Sequence, residues 1–409
     1  MSTAVVEANF DWTMIRIETD DGLIGWGESF FAPGLTSTIR ELGRLLCGQD
    51  ATNIAVLTNR LRRAASGAGT TGGIIYNALS GIDAALWDLN ARAAGLPLWQ
   101  LLGGRFHERI RLYVDCHGTS GLTSLGPLLE LRQRSWERNG EQETGAVKSL
   151  FEPGADEGAL QGEAILQRAS EMTALGFDAL KFDIDIGRLV PSGPAGGHVS
   201  PAALRAIEDL LTPVRSIIAN GVDVALDCHW RYDLATARRL VSAFSDVPLL
   251  WIEDPLAPDD ISGLLELSRA TIVPLASGEN LNRWAAFAPL IENRAVSIVT
   301  PDLGKVGGVN EARMIADTAH ARGLSVAVHN IAGPVGTMFA AHVAATFPNL
   351  IALEFHAVDV PFFGDLVDGP VVGRGAVELP SKPGIGIDVH VDEVKRWAKA
   401  GEPVFDGVI

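Results

Sequence analysis

The chain of 409 residues has only three cysteines, Cys47, Cys116 and Cys228, scattered and without paired spacing. That excludes a disulfide framework and fits a reducing compartment, so the cytoplasm is the expected location. No apolar run approaches the ~20 residues needed to cross a bilayer. The opening residues carry Glu7 and Asp11 and no basic-then-apolar segment, so no signal peptide is expected there. Basic residues are also scarce: 33 Lys and Arg stand against 50 Asp and Glu, a formal charge of -17. Such a surface would repel nucleic acid and anionic membranes, and neither is expected as a partner. What the chain has instead is apolar material, 47% of its residues, enough for a large core.

The stretch TMIRIETDDGLIGWGES alternates through two short strands around Asp20-Asp21-Gly22, a hairpin signature. Helical patterning follows to about Leu102, and glycine then proline close its densest part, residues 77–104. Residues 1–110 are therefore expected to form a small α+β domain. From 111 to 356 the pattern changes to eight short apolar runs, each ending in polar residues and each but the last leading into a helical stretch: RLYVDCH, DALKFDID, VDVALDCHW, PLLWIEDP, TIVPLASGE, VSIVTPDL, LSVAVHN and LIALEFH. Buried strands alternating with helices specify a closed parallel barrel. Residues 357–409, rich in Gly and Pro, are expected to pack back on the N-terminal domain. Two long connections, 118–162 and 187–200, follow the first and second barrel strands, where they serve either as lids over the site or as plain surface insertions.

Barrel strands open their C-terminal ends on one face, and an acidic residue ending an apolar strand is costly unless paired, hydrogen-bonded or bound to a metal. Asp227, Glu253 and Glu279 end three consecutive strands at steps of 26 residues. One such residue alone would read as an ion-pair or capping group. Three in register would repel one another, and oxygen ligands with room for water and substrate suit Mg²⁺. Lys181 and Asp183 share one side of the second strand, and His229 follows Asp227 by two, so all three should face the site. Asp302 and His329 end neighbouring strands, where a carboxylate can hold an imidazole in one tautomer. Glu354 ends the last strand. His198, on the second long loop, is a further candidate for substrate contact. Cys228 should alternate into the core, and the glycine-rich run at 69–73 lacks a phosphate-loop lysine.

The order Lys-x-Asp, Asp-x-His, Glu-Asp-Pro, Gly-Glu, Pro-Asp-x-x-x-x-Gly-Gly, His and Glu resembles the mandelate racemase branch of the enolase superfamily, from about residue 14 onward. The segment GIDAALWDLNARAAGLPLWQLLGG is highly similar to that family's capping domain. The resemblance implies a (β/α)7β TIM-type barrel under an N-terminal α+β cap completed by the C-terminal tail, and a homo-oligomer. The cap's first strand is expected to be missing or abbreviated. The resemblance further implies that Asp227, Glu253 and Glu279 hold Mg²⁺, that Asp302 and His329 form a base dyad, and that a protonated Glu354 donates to the substrate carboxylate. Lys181 would touch that carboxylate, and Asp183 would either orient Lys181 or bind a substrate hydroxyl. One departure matters: racemases of the branch usually carry Lys-x-Lys where this chain has Lys181 and Asp183. His229 in Asp-x-His is similar to the general acid of sugar-acid dehydratases of the galactonate and gluconate type. The expected activity is thus the dehydration of a sugar acid to a 2-keto-3-deoxy acid. An epimerase, racemase or cycloisomerase on a related acid or lactone is the alternative, and a non-catalytic barrel protein a second one.

Overall fold

The structure is a computed structural model and describes residues 1–68, 71–116, 162–185 and 197–406. Both long connections fall largely outside the described residues. The chain opens with a three-stranded antiparallel sheet: β1 (Ser2–Glu7), β2 (Asp11–Glu18) and β3 (Ile24–Ser29). The first of these corrects the expectation of a missing strand. Val5 pairs with Thr13 across a six-residue ladder, so the run STAVVE, short and followed closely by Asn9, is a full edge of the sheet.

Helix Ile74–Ala93 packs on this sheet. The Gly-Trp-Gly of β3 explains how closely. A Cβ on Gly25 would lie 2.3 Å from the carbonyl oxygen of Ala85, and one on Gly27 would lie 2.2 Å from that of Gly81. Only glycine allows strand and helix backbones to meet at that distance. Asp88 on the same helix accepts from the amides of Trp26 and Ile385 at 2.8 and 2.7 Å and pairs with Arg92 at 2.8 Å. One buried carboxylate thereby ties sheet, helix and C-terminal tail together.

Eight parallel strands follow: β4 (Arg109–Cys116), β5 (Ala179–Asp183), β6 (Asp223–Asp227), β7 (Trp251–Glu253), β8 (Leu275–Ser277), β9 (Ile298–Val299), β10 (Ser325–Val328) and β11 (Leu350–Phe355). They pair in sequence order, and β11 closes on β4 with Leu353 opposite Leu112, so the barrel has no free edge. After β11 the tail adds β12 (Ala376–Glu378) antiparallel to the start of β4, then returns to β1 through Ala4–Val404 and Val6–Ala398 bridges. No helix among the described residues is long and apolar enough to cross a membrane.

Inside the barrel, Tyr113, Ala179, Ala225, Trp251, Ala276, Ile298, Ala327 and Ala352 form one buried apolar layer, one residue from each strand. The alternation of a strand then presents the next inward residue two positions on. For β4, β5, β6, β7, β10 and β11 that residue is Asp115, Lys181, Asp227, Glu253, His329 and Glu354. The apolar layer is the floor on which the polar one stands.

Candidate active site

Ladder register sets Asp183 beside Asp227 and Asp227 beside Glu253. Glu279 joins them by a different route, three residues beyond Ala276 rather than two. Gly278, at φ +135, breaks the alternation, and any Cβ there would strike the ring of Phe287 at 2.4 Å. Asp227, Glu253 and Glu279 each offer an oxygen within 4.8 Å of the others, and all three are buried. The Oε1 atom of Glu253 has no hydrogen-bond partner among the described residues. Three convergent hard-oxygen ligands, one with an orphaned buried atom, fit a divalent cation on chemical grounds.

Lys181 is 1% exposed and is a counter-charge within the chain, 2.8 Å from Asp227 Oδ2, 2.9 Å from Glu354 Oε1 and 3.4 Å from Glu253 Oε2. Burial disfavours its charge, but Asp227, Glu253 and Glu354 outweigh burial and hold it well above the usual lysine range. The Trp251 indole donates to Glu253 Oε2 at 3.0 Å, and the Asn280 amide to Glu279 Oε1 at 2.8 Å. Burial raises the Glu279 carboxyl, but His329, His229, Lys305 and Lys181 outweigh that and bring it down to about 2.

Two histidine–carboxylate pairs flank this group. His329 Nδ1 lies 2.6 Å from Asp302 Oδ2, and the other oxygen of Asp302 accepts from the Gly304 amide at 2.6 Å. That leaves His329 Nε2 facing Glu279 at 3.4 Å and Glu354 at 3.6 Å. Burial opposes its charge, yet Glu354, Glu279 and Asp302 raise it to about 9. Across the barrel, His229 Nδ1 lies 3.1 Å from Asp185, 3.7 Å from Asp227 and 3.9 Å from Asp183. Here too burial is outweighed, by Asp227, Asp185 and Asp183, and the imidazole is held well above its ordinary range.

Nine of the ten sequence candidates thus meet at the mouth of the barrel. His198 does not: it is 61% exposed and its Nδ1 faces Asp233 at 3.3 Å. The reason is that it lies on the long connection, where strand register dictates nothing. Glu354 accepts from the Tyr113 hydroxyl and the Asn330 backbone amide, both at 3.1 Å, and its other oxygen lies 2.9 Å from the Lys181 ammonium.

The sequence reading missed several participants. Asp185 continues the inward alternation of Lys181 and Asp183 and could have been found by counting two further. Lys305 and Phe30 carried no such signal. The Lys305 ammonium stacks 3.7 Å over the Phe30 ring and donates to Asn280 at 3.1 Å, while the Phe30 amide donates to the Gly304 carbonyl at 3.1 Å. Glu28, on the same side of the cap, accepts from the amides of Gly333 and Gly336, at the start of helix Pro334–Ala344. The cap is thereby hydrogen-bonded to the turns that carry Asp302 and follow His329.

A closed parallel barrel whose mouth gathers a carboxylate triad, a buried lysine and two histidine–carboxylate pairs under a small cap is an enzyme site for acid–base chemistry beside a cation. The chain matches "Mandelate racemase / muconate lactonizing enzyme, N-terminal domain" over residues 2–103 and "Enolase C-terminal domain-like" over 164–394. It therefore belongs to the mandelate racemase/muconate lactonizing enzyme family. Its relatives include a D-xylonate dehydratase of Haloferax volcanii, 32% identical over 99% of this chain and 90% of that one. A D-galactonate dehydratase of Xanthomonas oryzae pv. oryzae is 27% identical over 94% and 90%. Among solved structures, a mandelate racemase/muconate lactonizing enzyme-like protein from Rubrobacter xylanophilus superposes with a TM-score of 0.84 at 32% identity, over 99% of this chain and 98% of that one.

Proposed function

We propose that this chain is a Mg²⁺-dependent hydro-lyase that dehydrates a sugar acid of the aldonate or aldarate class. The observation that carries the reading is the carboxylate triad set between two histidine–carboxylate pairs, one on either side. Asp227, Glu253 and Glu279 would hold the cation, which supplies positive charge where the substrate carboxylate gains electron density as its α-proton leaves. His329, kept in one tautomer by Asp302, takes that proton on Nε2. Lys181 and Glu354 would face the substrate carboxylate, and Asp183 would either orient Lys181 or bind a substrate hydroxyl. His229 then gives a proton to the departing β-hydroxyl. Water leaves, and the enol rearranges to a 2-keto-3-deoxy acid.

Support for dehydration over two-sided proton exchange comes from Asp183, which stands where racemases of the branch usually carry the second lysine of Lys-x-Lys. The dehydratase names of the relatives agree with it. The same reading takes residues 1–110 as cap, 111–356 as barrel and 357–409 as returning tail, in a cytoplasmic homo-oligomer with no nucleic-acid or membrane partner. The test is incubation with Mg²⁺ and a library of aldonic and aldaric acids. A semicarbazide-reactive 2-keto product supports the proposal. Deuterium uptake at the α-carbon without loss of water would replace it with an epimerase, and no turnover of any acid with metal bound would remove catalysis altogether.

A further inference from the structure

Asp185 has no part in the scheme above, yet its place in the fold is as constrained as that of Asp302. It is fully buried, on the inward alternation of β5 two residues past Asp183. Its Oδ1 is 3.1 Å from His229 Nδ1, the shortest of that ring's carboxylate contacts. The turn bearing His229 is unusual: His229 and Trp230 both adopt left-handed conformations, at φ 43 and 50, which side-chain-bearing residues rarely enter without local support. That support surrounds Asp185. The Ile184 amide donates to the Asp227 carbonyl at 2.8 Å, Tyr232 Oη donates to the Ile184 carbonyl at 2.5 Å, and the Trp230 amide donates to the Asp254 carbonyl at 2.7 Å. Segments 184–185 and 228–232 are thus laced together, and the His229 side chain is placed against a carboxylate rather than left to rotate.

The two pairs are also related by topology. Asp185 and His229 follow β5 and β6, whereas Asp302 and His329 follow β9 and β10, four strands further round an eight-stranded ring. Each histidine meets its carboxylate through Nδ1, leaving Nε2 as the nitrogen that can serve the substrate.

We propose that Asp185 is the positioning residue for His229. By accepting the Nδ1–H it fixes the ring plane and tautomer, so that the proton delivered to the leaving group comes from Nε2. The inference rests on the dehydratase reading above. In the step concerned, the Nε2–H bond breaks and an O–H bond forms. The β C–O bond releases its electron pair to the departing oxygen as water, and the electrons of the enediolate close the new C=C bond. His229 ends neutral, with Nδ1–H still held by Asp185.

The experiment uses the Mg²⁺-loaded enzyme in D₂O with whichever sugar acid the wild type dehydrates. Two rates are read together: total α-proton loss, as deuterium in recovered substrate plus product, and 2-keto acid formation. Asp185→Ala should lower product formation at least about 100-fold while total α-proton loss stays within about threefold. Asp185→Asn, whose amide oxygen still accepts from Nδ1–H, should recover at least about tenfold of that loss. The proposal is overturned if Asp185→Ala dehydrates like wild type, if both rates fall together, or if Asn is no better than Ala. A second readout needs no Asp185 variant. In ¹⁵N-histidine-labelled wild type, the His229 signal, identified by its absence from His229→Gln, should carry its proton on Nδ1. An unprotonated Nδ1 overturns the proposal. Absence of any dehydration by the wild type would instead remove the underlying reading.

Discussion

Two layers of the barrel interior, a residue pair apart along six of the eight strands, differ in almost everything except register. The lower one is alanine, isoleucine, tyrosine and tryptophan: Ala179, Ala225, Ala327 and Ala352 leave the room that Tyr113 and Trp251 fill. The upper one is lysine, aspartate, glutamate and histidine, nearly as buried. Both layers are held by the same hydrogen-bonded ladder, so backbone geometry does not distinguish them. Charge does. The lower layer is stable by itself through packing, whereas the upper one is a set of anions that repel unless cations intervene. The rigid floor is what allows the costly layer above it to be held in place.

Removing a ligand should have the largest effect. Glu253→Gln is expected to lower turnover about 10³-fold or more and to abolish Mg²⁺ binding by calorimetry; unchanged metal binding would break the contrast between layers. Lys181→Met removes the counter-charge that lies against both Asp227 and Glu354. In metal-free protein it should destabilise by about 3–5 kcal/mol, read from denaturant midpoints, and added Mg²⁺ should narrow the loss by binding the folded state. In the lower layer, Ala225→Leu should cost about 1–3 kcal/mol by overpacking, with no rescue by Mg²⁺. Rescue would mean that the layers are not separable.

A pH-dependent effect comes from a histidine outside both layers. His342 accepts the Trp99 amide at Nδ1 and donates from Nε2 to the Ile385 carbonyl, with no carboxylate against it among the described residues. Burial therefore pushes it down, to about 3, where His329 among carboxylates is pushed up to about 9. Between pH 6.5 and 3 the unfolded chain takes a proton at this position that the folded chain refuses. Stability should thus fall as pH drops through that window, by a few kcal/mol when complete. Melting of His342→Gln from pH 7 to 4 should be flatter than that of wild type.

Much of this was legible in the sequence because strand alternation is strict. Apolar runs ending in Asp227, Glu253, Asp302, His329 and Glu354 announced both the barrel and its charged mouth. Glu279 was legible as the acidic end of the run TIVPLASGE, 26 residues after Glu253, although counting by two from the floor would not have reached it, because Gly278 shifts the phase. Asp185 obeyed the rule and was passed over because the counting stopped at Asp183. The strand β1 was missed since six residues carry little periodic signal. Lys305 and Phe30 come together from residues far apart in the chain, by a cap–barrel contact that no local pattern encodes, and His198 sits on a loop where no register fixed its direction.

The proposed reaction depends on an imidazole removing a proton that a bound cation makes acidic. Following the α-carbon by NMR in D₂O, with Mg²⁺ present and a turned-over sugar acid as substrate, tests this in a single comparison of wild type with His329→Asn. The variant should bind Mg²⁺ as wild type does and neither take up deuterium nor form product. Deuterium appearing at the wild-type rate in the variant would contradict it.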